Sequence, residues 1–207
     1  LQIDPDWVLA HRSLAKYYER NEEPEKALFH NAEVLRVAGG APGEFLGLAN
    51  QYLALGKPQE ARLLLEKARF DHPDNPAVAA RLAIATLRDG DTTAAARLFR
   101  QAEALARDSD DPVAGEYLDA DFQLEFAGSL RTAGDLASAE SRLREASRNI
   151  PPDQPRKLAR ALRELAGLWI EQNKFPGPAV GLLRRADALD PGNEETKALL
   201  ENARGNK

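Results

Sequence analysis

"FLGLANQYLALGKPQEARLLLEKARFDHP", residues 45–73, carries two apolar faces separated by a turn. Phe45, Leu48, Ala49, Tyr52 and Leu55 recur at three- and four-residue spacing, which places them on one side of an α-helix. Gly56 ends that helix, because glycine takes the left-handed conformation a helix C-terminus favours. Pro58 suits the first turn of a second helix. Ala61, Leu64, Leu65 and Ala68 form the second helix's apolar face. Asp71-His72-Pro73 stops it, since proline disfavours helical backbone at the residue before it. The small residues between the leucines have a physical use: they are shallow places that let two helix axes approach closely.

The same skeleton returns along the chain. Thirty-four residues on, Leu82, Ala83, Gly90, Ala95, Phe99 and Ala102 replace Leu48, Ala49, Gly56, Ala61, Leu65 and Ala68. Thirty-four residues back stand Leu14, Ala15, Tyr18 and Ala27. Two further copies follow at irregular intervals. One carries Phe126, Ala127, Gly134, Ala139, Leu143, Ala146 and Pro151; the other carries Ala166, Gly167, Ala179, Leu183, Ala186 and Pro191. Small residues held at fixed offsets through five copies are a repeat.

This pattern resembles the tetratricopeptide repeat, and residues 45–73 follow it nearly place for place. The resemblance covers windows 8–41, 42–75, 76–109, 120–153 and 160–193. It departs in places. The large aromatic near the end of the first helix is Tyr18 or Tyr52 in two copies, but Thr86, Leu130 and Ile170 in the others. Asn31 replaces a large apolar residue in the first copy. Glu22 stands there where later copies have the inter-helix glycine. The resemblance implies an all-α fold: a right-handed α-solenoid, or superhelix, of helix-turn-helix repeats.

The joints and ends follow from local signals. The register slips by ten residues through "DSDDPVAGEYLDAD" and by six through "QPRKLA". We read the first slip as a longer first helix in the fourth repeat, roughly 113–132, and the second as a first helix lengthened from about Pro155. Such helices either adjust the superhelical pitch or build a distinctive wall or oligomer contact. Residues 1–7, with "LQIDP", read as the end of a preceding repeat. At the other end Asn193 can cap a helix. Glu194 and Glu195 suit the positive end of its dipole. Residues 194–207 are therefore expected to be a capping helix and tail, of the kind a repeat array needs at its exposed end.

Composition excludes several functions. Of 207 residues none is cysteine, so disulfides, thiolate metal sites and cysteine nucleophiles are ruled out. The net charge is -5. Residues up to 109 hold 14 basic and 16 acidic side chains, and the remainder 14 and 17. Neither half is basic, which disfavours nucleic acid or an anionic membrane as the main partner. No apolar run is long enough to span a membrane. A bacterial cytoplasmic and a periplasmic location fit equally.

Candidate chemistry is sparse. His11, His30 and His72 lie in different segments, with no partner at metal-ligand spacing. Glu22-Glu23, Asp110-Asp111 and Glu194-Glu195 sit at turns and helix starts, where solvation and capping explain them. Gly39-Gly40 lacks a phosphate-binding pattern. Trp7 and Trp169 fall on apolar helix faces, which reads as core packing. No catalytic constellation, metal site or cofactor is expected.

What remains is a binding surface. In the resembled family the first helices of successive repeats line a concave groove for peptides or partner helices. The corresponding places are Arg12, Lys16 and Arg20, then Leu46, Asn50, Leu53 and Ala54, then Ala80, Arg81, Ile84, Leu87 and Arg88. The first three windows thus set a cationic strip beside an apolar one. In the last two windows the places fall on Asp121, Leu124, Glu125, Gly128 and Arg131, then Ala161, Glu164, Leu168 and Glu171, a mostly acidic half. Some family members hold a C-terminal carboxylate in a Lys/Asn clamp. Here that clamp is partial, because Gly47 and Ala77 replace an expected Asn and Lys. The groove residues singled out are Arg12, Lys16, Asn50, Leu53, Arg81, Ile84 and Arg88. The expected function is a non-enzymatic scaffold, part of a larger protein, that binds a protein segment of acidic or carboxylate-ended character. The alternative is a self-association or regulatory module of a multidomain enzyme or signalling protein.

Overall fold

The computed structural model describes residues 5–110, 115 and 118–205. These residues are helical, with no strand among them. They fall into two compact units, Leu1–Leu118 and Asp119–Lys207. The first unit holds α1 (Pro5–Arg20), α2 (Pro24–Ala38), α3 (Pro42–Ala54), α4 (Pro58–Asp71), α5 (Pro76–Arg88) and α6 (Thr92–Asp108). The second holds α7 (Ala120–Thr132), α8 (Leu136–Asn149), α9 (Pro155–Glu171), α10 (Pro176–Leu189) and α11 (Glu194–Gly205).

Helix starts follow the sequence signals. Pro24, Pro42, Pro58, Pro76, Pro155 and Pro176 each occupy the first turn of a helix, where a missing N–H costs nothing. Elsewhere an Asx side chain caps. Asn75 accepts from Val78 N at 3.0 Å, Asp91 from Ala94 N at 2.9 Å and Asp135 from Ser138 N at 3.2 Å.

The turn inside each pair has one geometry. A carbonyl in the last helical turn accepts from the residue five positions on: Tyr52 O from Lys57 N at 2.9 Å, Thr86 O from Asp91 N at 3.1 Å, Leu130 O from Asp135 N at 2.9 Å. The intervening residue is left-handed, at Gly56, Gly90 and Gly134. In the first pair Tyr18 O accepts from Glu23 N and Glu22 takes the left-handed place with φ 58°. The missing glycine did not change the turn; a side chain is carried there at some strain.

The alanines of the skeleton lie where helices meet. Ala61, Ala68, Ala95, Ala102, Ala139, Ala146, Ala179 and Ala186 are fully buried. Around them sit Phe45, Leu65, Phe99, Leu143 and Leu183, also buried. In the first unit α2, α3, α4 and α5 share one apolar cluster, from Leu28 and Leu35 through Phe45 and Leu65 to Val78 and Leu82.

Two expectations about the joints change. The long helix placed at roughly 113–132 is not formed as such. Asp119 accepts from Phe122 N at 2.9 Å and starts α7 at Ala120. α6 runs 17 residues and ends at Asp108, before the inserted stretch. The proposed Asp111-Pro112 helix start lies outside the described residues. So do residues 1–4 of the supposed preceding repeat, while Pro5 already belongs to α1. The lengthened α9, by contrast, does begin at Pro155 and spans 17 residues.

The second change concerns register. In the last pair the five-residue closure runs from Lys174 N to Trp169 O at 2.8 Å. Trp169, not Ile170, therefore occupies the place of Tyr52. The helix after it starts at Pro176 rather than at the very next residue. One extra residue is accommodated by two left-handed side-chain-bearing positions, Asn173 (φ 52°) and Phe175 (φ 48°). Aligning backward from α10 thus misplaces α9 by one position.

Candidate functional site

The first helices of the leading unit present the cationic residues as expected. Arg12 and Lys16 are exposed on α1, one turn apart, and neither forms an ion pair among the described residues. On α3, Asn50 is exposed and Leu53 is partly buried against the shared core. Burial, with Glu60 and Glu33 nearby, pushes the Tyr52 phenol up to about 12. On α5, Arg81 is half-buried and Arg88 exposed.

Ile84 does not line an open groove. It is 3% exposed, and Ala80 is buried with it. The reason is readable in the helix itself. Its sequence PAVAARLAIATLR is apolar on all sides apart from Arg81, Thr86 and the terminal Arg88, and a helix that is apolar nearly all round is buried nearly all round. The strip therefore consists of α1 and α3, with Arg81 and Arg88 at its α5 end.

The acidic half of the sequence reading also changes. In the second unit Leu124, Ala161 and Leu168 are fully buried; for the α9 positions the one-residue register shift is the cause. The carboxylates that remain are paired with cations of the same or the neighbouring first helix. Lys157 reaches Asp121 at 2.8 Å. Arg160 reaches Glu164 at 2.6 Å and Glu125 at 3.4 Å. Arg131 pairs with Glu171. Burial pushes the Glu164 carboxyl above its usual range despite Arg160. Burial disfavours the Arg160 charge, but Glu164 and Glu125 outweigh it and raise its pKa. This face is an ion-paired seam rather than an acidic binding surface.

Other singled-out residues find unexpected neighbours. His11 and His30, far apart in sequence, meet with their Nδ1 atoms 2.9 Å apart. The His30 ring stacks on Tyr18 at 5.4 Å, and Trp7 leans on His11 at 4.8 Å. Burial first, and then His11, lower the pKa of His30, while Glu33 opposes them. Trp7 is not core: it is 51% exposed, whereas Trp169 is buried. His72 Nε2 lies 2.8 Å from the Gly40 carbonyl oxygen and donates to it, tying the end of α4 to the loop before α3.

A cleft of about 620 Å³ was not foreseen. It opens between α2 and α3, with Arg12 of α1 at its edge. Val34, Leu35 and Leu48 supply apolar surface. Asn31 and Gln51 contribute amides, and Gly43 and Gly47 form one wall. The signal was present in the sequence as two departures from the repeat, Asn31 and Gly47, without a means of seeing that they face the same space.

Comparison with known proteins supports the same architecture. The family profile described as "Tetratricopeptide repeat" matches residues 42–85. No curated protein matches. Among solved structures, a chain of the APC/C hetero-tetramer Cut9–Hcn1 superposes with TM-score 0.70 at 19% identity, covering 97% of this chain and 37% of that one. YrrB, described as a TPR protein with an unusual peptide-binding site, gives 0.65 at 18% identity over 94% of this chain and 92% of its own. MamA (residues 41 to the end) from Desulfovibrio magneticus RS-1 gives 0.64 at 15% identity, over 91% and 98%. At these identities the likeness speaks to fold. Residues 42–85 match the tetratricopeptide-repeat profile, and the other helix pairs repeat the same skeleton and turn geometry, so the chain has the fold of tetratricopeptide-repeat proteins.

Proposed function

We propose that the protein binds an extended, acidic or carboxylate-ended segment of a partner protein along α1 and α3 of its leading unit. Tetratricopeptide repeats serve as protein–protein interaction scaffolds and are generally non-catalytic. No described helix is long and apolar enough to cross a membrane. The observation that carries the reading is a contrast between α1 and the first helices of the trailing unit, since other cations of the leading unit, such as Lys57 and Arg62, do reach carboxylates. Lys157, Arg160, Arg131 and Arg163 of the trailing unit all reach carboxylates; Arg12 and Lys16 reach none among the described residues. Free cations beside Asn50 and Leu53 offer a partner charge, an amide and apolar surface together. YrrB, of similar fold, is described as having a peptide-binding site, which favours the same use here.

The test is a titration of acidic and neutral peptides of equal length at two salt concentrations. Acidic peptides are expected to bind more tightly, with affinity falling as salt rises. Arg12→Ala and Lys16→Ala should each weaken that binding by about tenfold or less, the scale of an exposed pair. Equal affinity for both peptides in all proteins would overturn the proposal.

A second reading, self-association, has its own observation. Leu14 is 39% exposed and Tyr17 58% exposed on α1. The equivalent places in the third copy, Leu82 and Ala85, are buried. Light scattering decides it: a dimer at micromolar concentration that Tyr17→Glu dissociates would support this reading.

A further inference from the structure

One place in the repeat holds an aromatic ring in the first, second and fifth copies. Tyr18 stacks on His30 at 5.4 Å, with Lys26 over its ring at 5.1 Å. Tyr52 is 6% exposed, with Glu60 nearby. Trp169 holds the place in the last copy, with Arg144 over its ring at 5.3 Å. In the third copy the residue is Thr86. Two repeat periods on from Tyr18, Lys26 and His30 stand Thr86, Ala94 and Leu98. A cleft of about 310 Å³ opens there among α4, α5 and α6, and Thr86, Ala94 and Leu98 all line it. The cleft thus lies where the other copies put their own ring. The fourth copy also lacks a ring, but there Leu130, 2% exposed, fills the place.

The lining says what kind of group fits. Leu82, fully buried, and Leu98 give it apolar surface. Thr86 is 3% exposed, and its hydroxyl forms no hydrogen bond with a described residue. It can therefore donate to, or accept from, a group in the cleft. Arg69 and Arg97 border the opening, and neither forms an ion pair among the described residues. Guanidinium planes stack on aromatic faces. The charges around the opening balance. A third arginine, Arg62, is held by Glu66 and Asp89, and Asp91 caps α6 through Ala94 N. A neutral ring with one polar edge suits this lining better than an anion does.

We infer that this cleft receives the phenol ring of a tyrosine from a partner protein. The ring takes the place that Tyr18 and Tyr52 fill in their own repeats, against Leu82 and Leu98. It enters from solvent, so its hydroxyl leads and meets that of Thr86, while Arg69 and Arg97 close on its faces. The site uses none of Arg12, Lys16, Asn50 or Leu53, and so goes beyond the segment-binding face of α1 and α3.

The probe is N-acetyl-tyrosinamide, compared with N-acetyl-phenylalaninamide and N-acetyl-leucinamide. Each is titrated to millimolar concentration into the whole chain with labelled methyl groups. Through its ring current the tyrosine probe should move the methyl resonances of Leu82, Ala94 and Leu98. It should bind about fivefold more tightly than the phenylalanine probe, the effect of one hydrogen bond. Thr86→Tyr supplies the ring from within. Its melting temperature should rise by about 2–4 °C, as filling a cavity does, and the probe-induced shifts should vanish. Thr86→Val keeps the cleft open and needs no new ring to fit. There the shifts should persist and the fivefold preference disappear. Unchanged probe binding in Thr86→Tyr overturns the site. So do a preference retained in Thr86→Val, equal binding of the three probes, and no shift at Leu82, Ala94 and Leu98. Binding of 4-methylphenol without binding of the tyrosine probe overturns the assignment to a partner's tyrosine. The acidic-peptide titration of α1 and α3 tests the segment-binding reading separately, so either can fail alone.

Discussion

At the residue scale, the least expected feature is the contact between His11 and His30. Two imidazole Nδ1 atoms 2.9 Å apart can share one proton, but cannot both be cationic without strong repulsion. The groups facing them are few. Tyr18 stacks on His30, and Trp7 and Phe29 pack on His11. Glu33 partly favours a positive His30. Lys26 lies over the Tyr18 ring. Because the folded His30 titrates below its ordinary value of 6.5, its neutral form is the one that folding favours. The linked stability is fully present above about pH 6.5, and is lost as pH falls from there towards the depressed folded value. Thermal melts of the whole chain between pH 7.5 and 5 should therefore show an acid-side loss. His30→Asn should flatten it. An unchanged pH profile in that variant would show that the pair does not govern the effect.

At the element scale, what a helix contributes depends on which neighbour covers it. α5 reads as a groove helix by position and is buried by composition, so position alone misassigned Ile84. α9 shows the converse. Its carboxylates and cations look like an exposed charged face in sequence, but they link it to α7 through Lys157–Asp121 and Arg160–Glu125. They also link it to α11 through Arg163. That guanidinium, buried on α9, donates to Glu195 at 2.8 Å and to Thr196 Oγ1 at 3.4 Å. Asn193 caps α11 by accepting from Thr196 N at 3.1 Å. A Cβ on Gly167 would come within 3.7 Å of Leu199, so α11 lies close over α9. Arg163→Ala should lower hydrogen-exchange protection across α11 while leaving α1–α6 unchanged. Loss of protection throughout the chain would show that α11 is not an independent cap.

At the scale of the whole molecule, helix pairs within each unit bury their faces on pairs adjacent in sequence, so stability is expected to be nearly a sum of local terms. Phe99→Ala in the leading unit removes a fully buried ring and should cost about 3–5 kcal/mol. Leu183→Ala in the trailing unit removes a fully buried side chain and should cost about 2–5 kcal/mol. Residues so far apart in the array share no partners, so the two costs should add within about 0.5 kcal/mol. Denaturant titration of the single and double variants measures this. A coupling larger than that would mean the units do not behave as separate local terms.

The repeat, its helix pairs and most of its buried positions were determined by the sequence itself. Apolar spacing, small residues at fixed offsets and Pro or Asx starts are local properties, and a repeat buries its faces only against its sequence neighbours. Ala61, Ala68 and Phe99 are buried for the reason their spacing gives. What only the tertiary structure decided depends on residues distant in sequence sharing one space. An extra residue in the turn after α9 moved that helix by one position, because two left-handed residues absorbed it. Charges that looked free in the trailing unit found partners 32 to 40 residues away. His11 met His30. Asn31, Gly43, Gly47 and Arg12, each a small departure in a different helix or turn of the helix, came together around one cleft. Spacing along a helix sets which face a side chain is on; the packing of other helices sets what that face meets.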